Sequence, residues 1–126
     1  MLSRGELIAR ALGHLAPNAR SNLLFKNALV DESAPNGLSQ LAGRCIAGIV
    51  NDHVAMTAVV APTVNAYKRL QPGSLNGYFA NWGLDHRGVA VRVPPSRGPG
   101  TRLEHRLADG AASVHLAAAA TLVAAL

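Results

Sequence analysis

Apolar and polar positions change period several times along the chain, and each change marks an element. Leu7, Ile8, Ala11, Leu12 and Leu15 recur at helical spacing behind Ser3-x-x-Glu6, a capping box. The spacing predicts a helix over residues 3–15, stopped by Gly13 or Pro17. Residues 18–36 are mixed and polar, with a short strand expected at Leu23–Phe25 and a turn at Ala34-Pro35-Asn36-Gly37. From Leu38, the positions Leu41, Cys45, Ile46, Ile49 and Val50 draw one helical face that ends near Asn51. A second short helix, capped at or around Asp52, is expected through Val60, and Pro62 ends it. Asn65–Leu70 leads into a turn at Gln71-Pro72-Gly73, and Tyr78–Leu84 alternates weakly, as a strand would.

The alternation then sharpens. Val89, Val91 and Val93 take turns with Ala90 and Arg92, the period of a strand with one apolar face. After a Pro/Gly/Ser loop over Pro94–Gly100, Arg102, Glu104 and Arg106 fall on one face and Leu103, His105 and Leu107 on the other. Asp109 stands where an N-cap belongs, with an Ala-rich helix expected from there to Leu126. Strands and helices do not alternate strictly, which favours an α+β fold of antiparallel strands with helices packed outside over a doubly wound sheet.

Length and charge narrow the function classes. A chain of 126 residues fits one domain. Its net charge of +5 comes almost wholly from arginine, five of them between Arg87 and Arg106. A basic balance raises nucleic-acid binding as a reading. These arginines are not interleaved with stacking aromatics, however, and no zinc-finger or RNP-type pattern occurs, so no nucleic-acid partner is expected. Cys45 is the lone cysteine and sits in an apolar helical context, which excludes a disulfide framework or a cysteine metal cluster. The first apolar run is broken by Arg4, Glu6 and Arg10, unlike a signal peptide. The run over residues 111–126 contains His115 and falls short of the about 20 residues a bilayer span needs. The expectation is a soluble, cytoplasmic protein with no membrane partner.

Arg92, Arg102 and Arg106 on one face, with Glu104 among them, admit two readings. Guanidinium groups grip phosphate in bidentate fashion, and a carboxylate beside them suits a divalent cation: a phosphate-plus-metal site. The same pattern also describes a solvated strand face with Arg–Glu cross-pairs. Alternation alone leaves both open.

Three ordered stretches carry further information. Ala61-Pro62-Thr63-Val64-Asn65-Ala66-Tyr67-Lys68-Arg69-Leu70-Gln71-Pro72-Gly73 resembles the signature loop of the glutamine synthetase catalytic domain. Arg87 follows at the family's spacing, and Arg92-Val93-Pro94 is similar to its R-[IV]-P. Arg102-Leu103-Glu104-His105-Arg106-Leu107-Ala108-Asp109-Gly110-Ala111-Ala112 resembles its R-[IV]-E-x-R-x-x-D-x-[AS]-[AS] block. The likeness covers residues 22–126, a partial catalytic domain, and leaves residues 1–21 as an N-terminal helix and linker outside it.

The resemblance implies an ATP-dependent carboxylate–amine ligase that joins glutamate to ammonia or another amine through a γ-glutamyl phosphate, with Mg²⁺ or Mn²⁺. By position it implies Glu104 as a metal carboxylate on the cation that holds ATP phosphates. It further implies Arg69 and Arg106 on the amino-acid substrate, Arg87 and Arg92 facing the transferred phosphoryl group, and Arg92 and Arg102 on the nucleotide. Phosphoryl transfer is mostly positioning and charge neutralisation, which fixed guanidinium groups supply.

The chain departs from the pattern in three places. Leu75 stands where the family offers an acid for the ammonium; no nucleotide-side lysine is found in the loop, Arg97 being out of register; and the family's other metal carboxylates lie upstream of this chain. His14 sits near the spacing of a metal-binding histidine, but Leu12 replaces its companion. One metal carboxylate cannot hold a cation cluster. The expectation is therefore a fragment inactive alone, with a homo-oligomeric copy or a partner chain supplying the missing half of the site. The alternative is a non-catalytic remnant or interaction module with weak phosphate binding. His53, His86 and His115 are expected as packing or solvent residues, His105 as a satisfied buried histidine, and Lys68 on the surface. Asn76, Asn81 and Trp82 are candidates for a pocket lining or for turn polarity.

Overall fold

A computed structural model of the chain describes residues 28–126. The helix expected over residues 3–15, the strand at Leu23–Phe25 and His14 lie outside the described residues. Helix α1 spans Gln40–Asn51 and begins where Ser39, in an extended conformation, turns its hydroxyl to accept from the Ala42 amide at 3.2 Å. Its face of Ala42, Cys45, Ile46 and Ile49 is buried, as the periodicity predicts. Before it, the turn at residues 34–37 is closed by Gly37 N–H donating to Ala34 O, with Gly37 at φ +69°.

Helix α2 spans His53–Val60 directly after Asp52. Asp52 occupies the N-cap position without a side-chain cap; its carboxylate accepts from Asn51 Nδ2 instead. Helix α3, Val64–Arg69, was not anticipated: six residues are too few for a periodic signature, and its definition comes from Thr63 Oγ1 accepting from Ala66 N at 3.1 Å.

Strands β1 (Phe79–Leu84), β2 (Val89–Val93) and β3 (Glu104–His105) form one sheet in that order. β2 and β3 pair antiparallel, but β1 and β2 pair parallel, so the sheet is mixed. The short connection explains the surprise. The Asp85 amide donates to Val93 O, which puts the end of β1 beside the end of β2. The chain then regains the start of β2 in four steps, at most about 14 Å when extended, against about 13 Å for the five-residue strand. Asp85 makes the reversal at φ +50°, a conformation Asp tolerates better than most residues. A bulge between Phe79 and Trp82 absorbs the mismatch.

β2 is central and buried on both faces except at Arg92, while β1 is an exposed edge. Helix α4 spans Val114–Ala125, its N-cap position four residues later than predicted. Asp109 is not its N-cap: Asp109 Oδ1 accepts from Ala111 N at 2.7 Å in a turn of its own, and Ser113 precedes the helix. The core joins Leu38, Ile46, Ile49, Met56, Val60, Val91, Val93, Leu107 and Ala124, with helices against the sheet, consistent with an α+β fold. At the α1–α4 contact, a Cβ on Gly48 would lie 1.9 Å from Ala124 O, so the two helices meet at backbone distance. Among the described residues no helix is long and apolar enough to cross a membrane.

Candidate functional site

Register builds the centre of the site. Arg92 on β2 lies opposite Glu104 on β3, where side chains of one face stand about 5 Å apart. Arg92 Nη1 donates to Glu104 Oε2 at 2.9 Å. Arg102 Nε donates to Glu104 Oε1 at 3.1 Å, with its Nη2 at 3.0 Å from the same oxygen. Both carboxylate oxygens are therefore taken by guanidinium groups.

Arg92 has a second acid. Its Nη2 donates to Asp85 Oδ1. That bond first, and then Glu104, holds the Arg92 pKa above its already high ordinary value. The Arg92 side chain is 16% exposed, whereas those of Asp85 and Arg102 are each 53% exposed, so the open side of the cluster is Asp85 and Arg102. Arg92 Nε is buried with no partner, a donor with capacity left. Sequence reasoning missed Asp85. An acid among His86-Arg87-Gly88, between two strand patterns, was the available signal, since Asp favours such turns.

The other candidate arginines hold backbone. Arg106 donates from Nε to Arg87 O at 3.1 Å and from Nη2 to Leu75 O at 2.9 Å, tying two loops to the start of the sheet. Arg87 is exposed beside it. Arg69 donates to Leu107 O at 2.9 Å and Ala108 O at 3.4 Å, with Nε 3.8 Å from Asp109 Oδ2. Arg92, Arg102 and Glu104 are thus brought together, Arg106 joins Arg87 through its carbonyl, and Arg69 engages a different set of groups. Arg97, out of register for a nucleotide role, clamps Asn36 O and Pro94 O. Asn76 Nδ2 donates to Arg69 O, and Asn81 Oδ1 accepts from Ala90 N, so both serve the backbone.

Among the described residues no group of three or more His, Cys, Asp or Glu is placed to hold a metal ion. With Glu104 already bonded by two guanidiniums, these residues alone do not fit a divalent cation. The arrangement can chelate an anion with several oxygens: Arg102 is open, and Arg92 offers its fork wherever Asp85 yields.

The histidines divide. His86 and His115 are exposed, while His53 is buried, its Nε2 donating to Tyr78 O at 3.2 Å. His105 Nδ1 meets Thr121 Oγ1 at 3.0 Å, but its Nε2 and His53 Nδ1 are both buried without partners, so His105 is only half satisfied. Burial, with His53 nearby, pushes the His105 pKa down to about 4. Burial also pushes the Cys45 thiol up, away from reactivity.

Comparison with known proteins bears on the whole of this region. The family pattern "Glutamine synthetase, catalytic domain" matches residues 22–126. The chain is 44% identical over 101 residues to a glutamine synthetase of Clostridium saccharobutylicum, covering 80% of this chain and 23% of that protein. Against the glutamine synthetase of Thermotoga maritima it is 41% identical over 101 residues, with the same coverage. Against that of Pyrococcus abyssi it is 42% identical over 90 residues, covering 71% of this chain and 20% of the relative. The chain therefore spans about a quarter of the length of the curated relatives it matches. With the two motif arginines and the motif acid meeting in one cluster, and with this extent of identity, the chain belongs to the glutamine synthetase catalytic-domain family.

Proposed function

We propose that this chain carries the phosphate-facing arginine cluster of a glutamine synthetase-like ligase, an ATP-dependent enzyme joining a carboxylate to an amine. The carrying observation is the pairing of Arg92 and Arg102 on the two oxygens of Glu104, at a strand register that fixes all three. In this reading Arg92 and Arg102 receive ATP phosphate oxygens and neutralise the charge developed as a phosphoryl group passes to the acid substrate. Arg87 faces that group, and Arg106 and Arg69 lie toward the amino-acid end. Fixed guanidinium donors suit such a transfer because charge moves among oxygens already held in place. ATP and a divalent cation, Mg²⁺ or Mn²⁺, are what the family uses. Glu104 contributes one ligand at most, so the remaining ligands come from residues beyond those described. The chain alone is accordingly expected to be inactive.

A second reading has its own observation. Two guanidiniums and two carboxylates balance within the cluster, as a purely structural ion-pair network requires. A coupled assay with ATP, glutamate and a panel of amines tests the main reading. No turnover is expected from the chain alone; turnover abolished by Glu104→Ala would overturn the inactivity of the isolated chain.

A further inference from the structure

Helix α4 is apolar on every side. Of its 12 residues only His115 and Thr121 carry polar side chains, and the Thr121 hydroxyl is turned in against His105. A helix of that composition is ordinarily enclosed by protein. Yet Ala124 is its one buried residue, while Val114 and Leu116 are 78% and 60% exposed. Helix α2 lies antiparallel beside it. The Asp109 amide donates to Val60 O, which sets the end of α2 by the start of α4, and the far end of α4 meets α1 at Gly48, near where α1 passes into α2. The outer side of α2 is apolar as well: Val54 is 80% exposed, and Ala55, Ala58 and Val59 are exposed with it. Charge is absent from both stretches. Residues 53–67 and 110–126 contain no Asp, Glu, Lys or Arg, and the cluster of Asp85, Arg92, Arg102 and Glu104 belongs to the sheet.

We propose that the α2–α4 face seats a second copy of this chain, the same face meeting itself across a two-fold axis as a layer of four helices. Two considerations select that occupant. A chain of net charge +5 repels its own copies wherever arginines meet, and this uncharged face lets two copies approach with their arginines apart. Area is the second. Val54, Val59, Val114 and Leu116 with the neighbouring alanines offer on the order of 600 Å² per copy, about 1,200 Å² in all, the lower end for stable interfaces. The dimer is therefore of micromolar strength and in exchange with the monomer. A bilayer matches the face less well. Helix α4 is about 18 Å long against a hydrocarbon core of about 30 Å, and interfacial helices flank their apolar side with Lys and Arg, which this face lacks.

Sedimentation of the full chain across the micromolar range tests the proposal, with Val54→Glu and Leu116→Glu as variants. Both positions are well exposed and lie in the first turn of a helix, where an acid is favourable. Far-ultraviolet circular dichroism and the urea midpoint therefore stay those of the unmodified chain. Leu84→Glu, at a half-exposed position on the edge strand β1, is the control. The proposal expects the mass to rise from one chain to two with concentration. Each helix variant raises the dissociation constant about tenfold or more, because a carboxylate is then buried without a partner, and Leu84→Glu changes nothing. A chain that stays monomeric throughout, including one that floats with phosphatidylcholine vesicles instead, would overturn the proposal. So would a dimer that Leu84→Glu disrupts and the helix variants do not, which would put the contact at the β1 edge. Because the face does not include Arg92, Arg102 or Glu104, failure here leaves the ligase reading standing.

Discussion

Arg92 decides whether the cluster is a binding face or a structural clamp, because it is the residue shared by both acids. In the proposed reading Asp85 is the competitor that an incoming phosphate displaces, and it is the more exposed of the two. Asp85→Asn is therefore expected to raise affinity for ATP, by removing a like charge and freeing one edge of the fork. A fall in affinity on titration would show that Asp85 supports the site instead. Arg92→Lys keeps the charge and loses the fork. With charge-assisted hydrogen bonds contributing about 1.5–3 kcal/mol each, loss of one should weaken binding roughly 10- to 100-fold. His105 supplies a pH test of stability. Its folded pKa of about 4 lies below the ordinary 6.5, so the unfolded chain binds protons first as pH falls. The stability is complete above pH 6.5 and is lost progressively toward pH 4, by about 3 kcal/mol. His53, also pushed down by burial, acts in the same direction. The urea midpoint should drop between pH 7.5 and pH 4.5, and drop less in His105→Gln; a flat profile would contradict the burial of the pair.

At the scale of elements, α1 and α4 meet at backbone distance where α1 crosses α4 at Gly48. Gly to Ala inside a helix ordinarily stabilises by up to about 1 kcal/mol. Here the methyl would meet Ala124 O, a backbone atom that moves only if α4 moves. Gly48→Ala is expected to destabilise by about 1–3 kcal/mol in chemical denaturation; a more stable variant would show that α4 is held loosely. The elements also mark what was legible. α1 follows from apolar spacing, because burial imposes that period, and α2 from the cap region at Asp52 and the stop at Pro62. β2 and the Arg102–Glu104 pair follow from alternation, whereas Arg106, expected on the same face, turns to the carbonyls of Arg87 and Leu75. The antiparallel β2–β3 pair follows from the loop between them. The parallel β1–β2 pair does not, since its cause is a single reversal at Asp85. The late start of α4 was equally hidden: Asp109 suits an N-cap and an isolated turn alike, and the Arg69 contact with Leu107, Ala108 and Asp109 holds it in the turn. Neither cause is periodic, so neither leaves a repeating trace.

For the molecule as a whole, the identity of the chain was carried by motif spacing, whereas the division of labour among its arginines needed coordinates. Arg69, Arg97 and Arg106 share the composition of a phosphate site yet donate to carbonyls, while Arg92 and Arg102 remain on the carboxylate cluster. The central claim is that this cluster takes up phosphate oxygens although the chain covers only about a quarter of its relatives' length. The direct test is a titration of the folded chain with magnesium–ATP followed by amide NMR shifts. Two charge-assisted contacts at about 2 kcal/mol each correspond to a Kd on the order of 1 mM. The account predicts saturable shifts centred on Arg92, Arg102 and Glu104, abolished in Arg92→Ala. A folded chain whose β2 and β3 amides do not respond to ATP would contradict it and leave the arginine face as scaffold.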